Sequence, residues 1–119
     1  MQSYKDLIVW QRSIQLVAEL YRLTEKFPKT EIYGLTSQMR RAAISIPANI
    51  SEGFARKHRA EYVQFLRIAF GSGAELETFL ILTEKLRFAS HAETEKSCKL
   101  LEETMKMLNK LISSLVTKP

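Results

Sequence analysis

Residues 33–53 read YGLTSQMRRAAISIPANISEG, and apolar side chains recur in this stretch at spacings of three and four. Such a period predicts an amphipathic helix over about residues 31–52. Pro47 lies inside the pattern and should kink the helix, because proline lacks an N–H and clashes with the carbonyl four residues earlier. Gly53 is predicted to end the helix as a left-handed cap. The predicted buried face consists of Leu35, Met39, Ala42, Ala43, Ile46 and Ile50.

A helix is also predicted before this stretch, over about residues 5–27. Ser3 and Asp6 have the spacing of a capping box at its start, and Pro28 ends it because the residue before a proline disfavours helix. Its apolar seam is predicted to follow Leu7, Trp10, Ile14, Val17 and Tyr21.

A third helix is predicted after the loop of residues 54–59, running to about residue 88. Gly71 and Gly73 lie in its middle. A helical glycine costs about 1 kcal/mol relative to alanine, so the pair predicts a close approach by another helix. The apolar seam of this helix is predicted to follow Tyr62, Leu66, Ala69, Gly73, Leu76, Leu80 and Thr83.

The fourth helix is predicted to begin at a capping box formed by Ser90 and Glu93. Its seam has a period of about 3.5 residues and consists of Cys98, Leu101, Met105, Leu108, Ile112 and Leu115. Four such helices with short connections predict an all-α fold, an antiparallel up-down four-helix bundle, with residues 1–119 as a single domain. Five further apolar residues predict either side-by-side oligomerisation or a wider core-facing stripe: Phe70, Phe79, Leu100, Met107 and Leu111.

The chain has 119 residues and a net charge of +5, and residues 1–59 hold ten Lys/Arg against five Asp/Glu. A basic surface favours a polyanion or an acidic protein as partner. The longest uncharged run, residues 42–51, is about half of a membrane span, so no membrane contact is expected. The first residues lack the pattern of a secretory signal, and Cys98 is the single cysteine, which together predict a cytoplasmic location.

Catalysis has little support in the residue pattern. Neither His58 nor His91 belongs to a Glu-x-x-His pair, and no phosphate-binding glycine loop is present. Glu75 and Glu77 point to different sides of a helix, although Glu52 could join one of them around a divalent metal. We therefore expect no enzymatic activity, no cofactor and no metal.

Two clusters of polar residues are candidates for a site. Glu52 lies in the last turn of its helix, where the dipole disfavours a negative charge. Arg40, Asn49 and Glu52 are therefore predicted to form a structural polar network between the second and third helices. Phosphate contacts to nucleic acid are predicted for the basic loop and the arginines of the flanking helices, with Phe54 and Tyr62 either stacking on bases or packing in the core. These cationic residues are Arg40, Arg41, Arg56, Lys57, Arg59 and Arg67.

The stretch of residues 33–53, together with Trp10-Gln11, Phe27-Pro28 and residues 65–72 and 75–78, strongly resembles the four-helix-bundle proteins encoded by intervening sequences of bacterial 23S ribosomal RNA genes. The resemblance covers about residues 4–88. It implies an up-down bundle that assembles into a homopentamer and has no enzymatic activity. Related proteins are accessory factors of diversity-generating retroelements, so the resemblance also implies a basic ring that binds nucleic acid and contacts a reverse transcriptase.

Two functional hypotheses follow. The first is a non-catalytic oligomeric module that associates with RNA or DNA through its basic surface. The second is an oligomeric scaffold or accessory factor whose partner is another protein, such as a reverse transcriptase, with no direct nucleic-acid contact.

Overall fold

Four α-helices make up the computed structural model, which describes residues 3–117: α1 (Ile8–Thr24), α2 (Leu35–Phe54), α3 (Arg59–Lys85) and α4 (His91–Val116). Short 3-10 helices, Tyr4–Asp6 and Lys29–Glu31, precede α1 and α2. No strand occurs within residues 3–117, which confirms the all-α class. The predicted domain ends, residues 1 and 119, fall outside this range.

Each helix packs against two neighbours: α2 and α4 both contact α1 and α3. Ser45 meets Ser72 and Arg41 approaches Glu75, so residue numbers rise along α2 while they fall along α3. The resulting four-helix bundle measures 49 × 23 × 20 Å. Its long side surfaces are therefore helix faces, and its ends are the connecting loops.

Helix α2 buries the apolar face that the sequence predicts. Met39, Ala42, Ala43, Ile46 and Ile50 are all inaccessible to solvent, and Leu35 is half-buried. The left-handed cap predicted at Gly53 is wrong: no glycine among the described residues has a positive φ, and α2 continues to Phe54. Gly53 instead lets α3 come close, because a Cβ atom there would lie 2.8 Å from Cβ of Phe65.

The predicted seam of α1 is wrong by part of a turn. Leu7, just before α1, is buried as predicted, but the buried residues of the helix itself are Val9, Ser13, Leu16, Leu20, Leu23 and Thr24. Ile14 is exposed, Trp10 and Val17 are half-buried beside the core, and Tyr21 is half-buried. Ser13 belongs in the core because its hydroxyl donates to the carbonyl of Trp10, at 2.7 Å. Ser3 caps the 3-10 helix by accepting from the N–H of Lys5, so it does not form the predicted box on α1.

Helices α3 and α4 follow their predicted seams more closely. All the predicted α3 seam is buried except Tyr62, which is half-buried beside buried Val63. In α4, Leu101, Leu108 and Ile112 are buried, but Thr94, Ser97 and Thr104 replace the half-buried Cys98, Met105 and Leu115 in the core. The capping box of Ser90 and Glu93 is present. The five extra apolar residues, Phe70, Phe79, Leu100, Met107 and Leu111, are half-buried against the core.

The turn from α3 to α4 is closed by backbone hydrogen bonds around Arg87. The N–H of Phe88 donates to the carbonyl of Thr83, and that of Arg87 to the carbonyl of Glu84. This pattern requires a left-handed residue, and Arg87 has a φ of 62°. Within residues 3–117, none of the helices combines the length and apolar character needed to cross a bilayer.

Candidate nucleic-acid interface

The loop between α2 and α3 places three cations near one end of the bundle, and a fourth lies further along α3. Arg56, Lys57 and Arg59 are exposed in or beside this loop, and Arg67 is exposed about 12 Å further along α3. We call these four residues the loop cluster. Residues 52–67 contain these four Lys/Arg and only two acids, Glu52 and Glu61. Arg56, Lys57 and Arg59 therefore form a local positive surface that is open to solvent, and Arg67 adds an exposed charge further along α3.

Arg56 is the one member of the loop cluster that is held by intramolecular contacts. Its Nη2 lies 3.0 Å from Oε2 of Glu52, and its guanidinium lies 4.8 Å from the centroid of the Phe65 ring. Lys57, Arg59 and Arg67 form no ion pair with any residue in the described part of the chain. Three of the four charges are thus available to an external anion.

Arg40 and Arg41 do not join the loop cluster. They lie sixteen and fifteen residues before Arg56 on α2, a separation of about 22–24 Å along the helix axis. Arg41 instead approaches Glu75, with 4.0 Å between Nη2 and Oε2. Arg40 and Arg41 therefore form a site separate from the cations of the loop.

The predicted network of Arg40, Asn49 and Glu52 does not form. Arg40 is about 18 Å from Glu52 along α2, since twelve residues separate them. Asn49 donates to the carbonyl and hydroxyl oxygens of Ser45, at 2.8 and 2.9 Å, and Ser45 meets Ser72. Glu52 is 56% exposed and pairs with Arg56, so its charge is balanced without any buried partner.

The second site, which we call the α2 corner, lies where the Lys29–Glu31 turn meets α1 and α2. It is a concave surface of about 430 Å³. Arg40 places its guanidinium 4.3 Å from the centroid of the Tyr21 ring, and its Nε donates to Oγ1 of Thr24 at 2.9 Å. Tyr33 is 94% exposed at its rim. The lining residues are Tyr21, Ile32, Tyr33, Thr36, Ser37, Arg40, Arg41 and Ile44.

The two aromatic residues that the sequence offered for base stacking lie at the edge of the hydrophobic core. Phe54 and Tyr62 are half-buried and pack edge to face, with 6.0 Å between ring centroids. Burial raises the pKa of Tyr62. Tyr33 carries an exposed aromatic ring, and the sequence analysis did not predict it as a stacking group. Its position between helix-breaking Gly34 and the Phe27-Pro28 break was the available signal, because loop residues carry exposed side chains.

Glu52 lies far from Glu75 and Glu77 in the structure. Glu52 adjoins Gly53, which packs on Phe65, and Phe65 lies ten residues before Glu75 on α3, a separation of about 15 Å. The metal site considered for Glu52 with Glu75 or Glu77 is therefore not formed. Within residues 3–117, no three metal-binding side chains converge.

Two other titratable groups, Glu84 and Cys98, have pKa values that their surroundings shift. Glu84 accepts from Thr94, which holds the pKa of Glu84 below its ordinary value, and also contacts His91 at 3.2 Å. Burial raises the pKa of the Cys98 thiol and keeps it protonated at neutral pH. A protonated thiol is a poor nucleophile, so Cys98 has the character of a packing residue.

Comparisons with known proteins give a family and a fold. A family model described as 23S rRNA-intervening sequence protein matches residues 5–110. A solved structure from Bacteroides thetaiotaomicron VPI-5482, described as a protein of unknown function from the S23 ribosomal protein family, aligns with a TM-score of 0.82 at 24% identity. The alignment covers 88% of this chain and 98% of that chain, so the two share the fold. No curated protein matches the sequence.

Proposed function

Since this chain belongs to the 23S rRNA-intervening sequence protein family, we propose that it is a non-catalytic, oligomeric up-down bundle that associates with nucleic acid, RNA in the first place, through its basic surface. The observation that carries the proposal is the loop cluster. Exposed Lys57, Arg59 and Arg67 have no internal counter-ion among the described residues, and phosphate oxygens are the ligands that such side chains bind most readily. Contacts of this kind position a strand without selecting its sequence.

Oligomerisation makes the positive surface larger. A homopentamer is the assembly that the family resemblance implies, and five copies of a chain with net charge +5 carry about +25. Nucleic-acid affinity grows with the number of phosphates that are neutralised together. A single subunit would therefore have low affinity, and a ring of five would have a much higher affinity. The loop clusters of several subunits would then bind the phosphates of one strand together.

An apolar groove between α1 and α4 supports the oligomer proposal. It has a volume of about 460 Å³. Ile8 is 61% exposed there, and the neighbouring Met107 and Leu111 are half-buried. Apolar surface of this kind is favourable to bury against another subunit. The groove is lined by Leu7, Ile8, Val9, Met107, Lys110, Leu111 and Ser114.

Light scattering tests the assembly. We expect the parent protein to have a mass several times the 13.7 kDa of the chain, and five times that value for the pentamer. Ile8→Asp places a charge in the groove and should lower the mass, whereas Ile81→Asp, on α3 outside the groove, should not. A parent protein that remains a monomer at micromolar concentration would contradict this part of the proposal.

Salt-dependent titration tests nucleic-acid binding. The variant Arg56→Gln/Lys57→Gln/Arg59→Gln removes three charges from the loop cluster, and Lys85→Gln/Lys99→Gln/Lys106→Gln removes three exposed charges elsewhere. Both variants have the same net charge. We expect the first to weaken binding and to reduce the log–log salt slope by about one for each phosphate that is no longer neutralised, and the second to resemble the parent. Equal losses of affinity in the two variants would show that binding depends on net charge and not on the loop cluster, which would contradict the proposal.

A protein partner is the second candidate function. Its support is a set of exposed apolar side chains at the end of α3, where Ile81, Leu82 and Leu86 are 55%, 40% and 53% exposed. Such residues suit the contact surface of a scaffold or accessory factor, for example for a reverse transcriptase. A parent protein that binds neither RNA nor DNA at low salt would favour this function over the first.

A further inference from the structure

The α2 corner holds an exposed tyrosine on a well-defined turn. The Glu31 carboxylate accepts from the N–H of Leu35 at 3.2 Å, and the Glu31 carbonyl accepts from the N–H of Gly34 at 2.9 Å. A Cβ atom on Gly34 would lie 2.9 Å from Oε1 of Glu31, so glycine leaves room for this carboxylate to cap α2. The turn therefore presents the Tyr33 ring outward, and 94% of the residue remains open to solvent.

Two arginines, Arg40 and Arg41, line the same concave surface as Tyr33. Arg40 is oriented by the Tyr21 ring and by Thr24, and only its Nε takes part in a hydrogen bond within residues 3–117. Its two terminal nitrogens therefore have donors for an additional ligand. Arg41 is exposed, with Nη2 donating to Oε1 of Gln38 at 2.6 Å. The corner thus combines an open aromatic face with two positive, planar donor groups.

We propose that the α2 corner binds an unpaired nucleotide of a single-stranded nucleic acid, with its base stacked on Tyr33 and its phosphate on Arg40 and Arg41. This inference rests on the proposed function and narrows it to strands with unstacked bases. Base–aromatic stacking and Arg–phosphate contacts are the two interactions that such strands use. The 430 Å³ of the corner lies within the roughly 300–1,000 Å³ range of ligand sites.

The composition of the corner favours a nucleotide over an apolar protein surface. Ile32 and Ile44 would suit either partner. Arg41 has the Glu75 carboxylate 4.0 Å away, but Arg40 has no ion pair within residues 3–117. An apolar protein would remove water from the terminal nitrogens of Arg40 without supplying an anion, which is costly. A phosphate supplies that anion. In a duplex the bases are already stacked on one another, so Tyr33 should add affinity only for single strands.

The test measures binding of end-labelled fluorescent single-stranded RNA and DNA of about 12 nucleotides and of a hairpin duplex. Tyr33→Ala should weaken single-strand binding about tenfold and leave duplex binding unchanged. Because no charge is removed, the log–log salt slope should stay the same, whereas Arg41→Gln should reduce it by about one. Tyr33→Phe should bind like the parent, and Tyr33→Leu should bind like Tyr33→Ala. Val116→Ala, which truncates an exposed apolar side chain at the end of α4, should have no effect.

The outcomes separate this inference from the proposed function. If the parent binds single strands and duplexes with steep salt dependence but Tyr33→Ala binds both as the parent does, the corner site is wrong and the function stands. If Tyr33→Leu retains binding, or Tyr33→Ala changes the mass measured by light scattering, the ring makes a protein contact and the inference is overturned. If the parent binds no nucleic acid at low salt, the proposed function itself fails.

Discussion

The side chain of Met105 on α4 occupies the space that a Cβ atom on Gly73 of α3 would take. Gly73 is buried and so allows the two helices to approach closely. Gly71 lies two residues earlier and has no other atom within 4 Å of its Cβ position. The close approach predicted from the glycine pair is therefore confirmed at Gly73 and wrong at Gly71.

This difference predicts opposite effects of the same substitution. Gly71→Ala should stabilise the protein by about 1 kcal/mol, because alanine favours helix and meets no neighbour. Gly73→Ala should destabilise it by about 1 kcal/mol, because the Met105 side chain must move. Urea unfolding at a fixed protein concentration measures both. A Gly73→Ala variant that gains as much as Gly71→Ala would show that Met105 yields without cost.

Gly53 is predicted to behave as a helix-contact residue. Gly53→Ala should destabilise the bundle by about 2 kcal/mol, because the new Cβ atom would lie 2.8 Å from Cβ of Phe65 and 3.2 Å from the backbone oxygen of Tyr62. Gly53→Asn should cost more still. A left-handed cap would tolerate asparagine better than alanine, so the rank order of the two unfolding free energies distinguishes the two roles.

Glu52→Ala should change the unfolding free energy by about 0.5 kcal/mol or less, because Glu52 is exposed and an exposed i,i+4 pair such as that with Arg56 contributes little. Arg40→Ala should cost about 2 kcal/mol, because it removes the contact with the Tyr21 ring and the hydrogen bond to Thr24. Chemical denaturation measures the unfolding free energy of both variants. A larger loss for Glu52→Ala than for Arg40→Ala would contradict the exposed position given to Glu52 and favour the predicted buried network.

The start of α4 should make stability depend on pH. Ser90→Ala should cost about 1 kcal/mol, because Ser90 accepts from the N–H of Glu93. The N–H of Ser90 and then Lys26 donate to the Glu93 carboxylate and lower its pKa below the ordinary value of 4.5. The stabilisation is therefore complete above pH 4.5 and is lost as the pH falls through the lower folded value.

Unfolding of Glu93→Gln at several pH values checks this dependence. The variant should be less stable than the parent at neutral pH, and the difference should shrink as the pH falls below 4.5. Glu95→Gln removes the same charge two residues later, where the carboxylate has no hydrogen bond or ion pair within residues 3–117, and should have a smaller effect at neutral pH. A difference between Glu93→Gln and the parent that is constant with pH would contradict the role given to this carboxylate.

Arg87→Gly should stabilise the protein by about 1 kcal/mol. Arg87 has a φ of 62°, a conformation that glycine adopts without the steric cost of a Cβ atom. Leu86→Gly is the matched control, because Leu86 has right-handed helical geometry and glycine there should be destabilising. Thermal or urea unfolding that shows Arg87→Gly less stable than the parent would indicate that the arginine side chain contributes more than the backbone strain.

Helix positions were predictable because local signals determine them. Capping by Ser90 and Glu93, the proline at residue 28 and the apolar period of α2 all act within a few residues. The side of the helix that is buried was harder to predict in α1 and α4. Apolar counting omits hydroxyl residues, yet Ser13 and Thr104 are buried because each donates to a carbonyl of its own helix.

In the candidate sites, too, local features were predictable and contacts between helices were not. The loop cluster could be predicted because Arg56, Lys57 and Arg59 are consecutive or nearly so in a loop, where their side chains must share one surface. The pairing of Arg40 with Glu52 was wrong even on sequence grounds, because twelve residues on one helix already place them about 18 Å apart. The Arg40 contact with Tyr21 joins two different helices, and only their packing creates it.

The sequence by itself determined the four helices, the family and the excess of positive charge, because capping, periodicity and composition are local or additive properties. Tertiary structure alone decided which glycine is in contact, which arginines share a site and how far Tyr33 projects into solvent. Each of these depends on distances between helices. Those distances follow from the simultaneous packing of all four helix faces, which no single segment specifies.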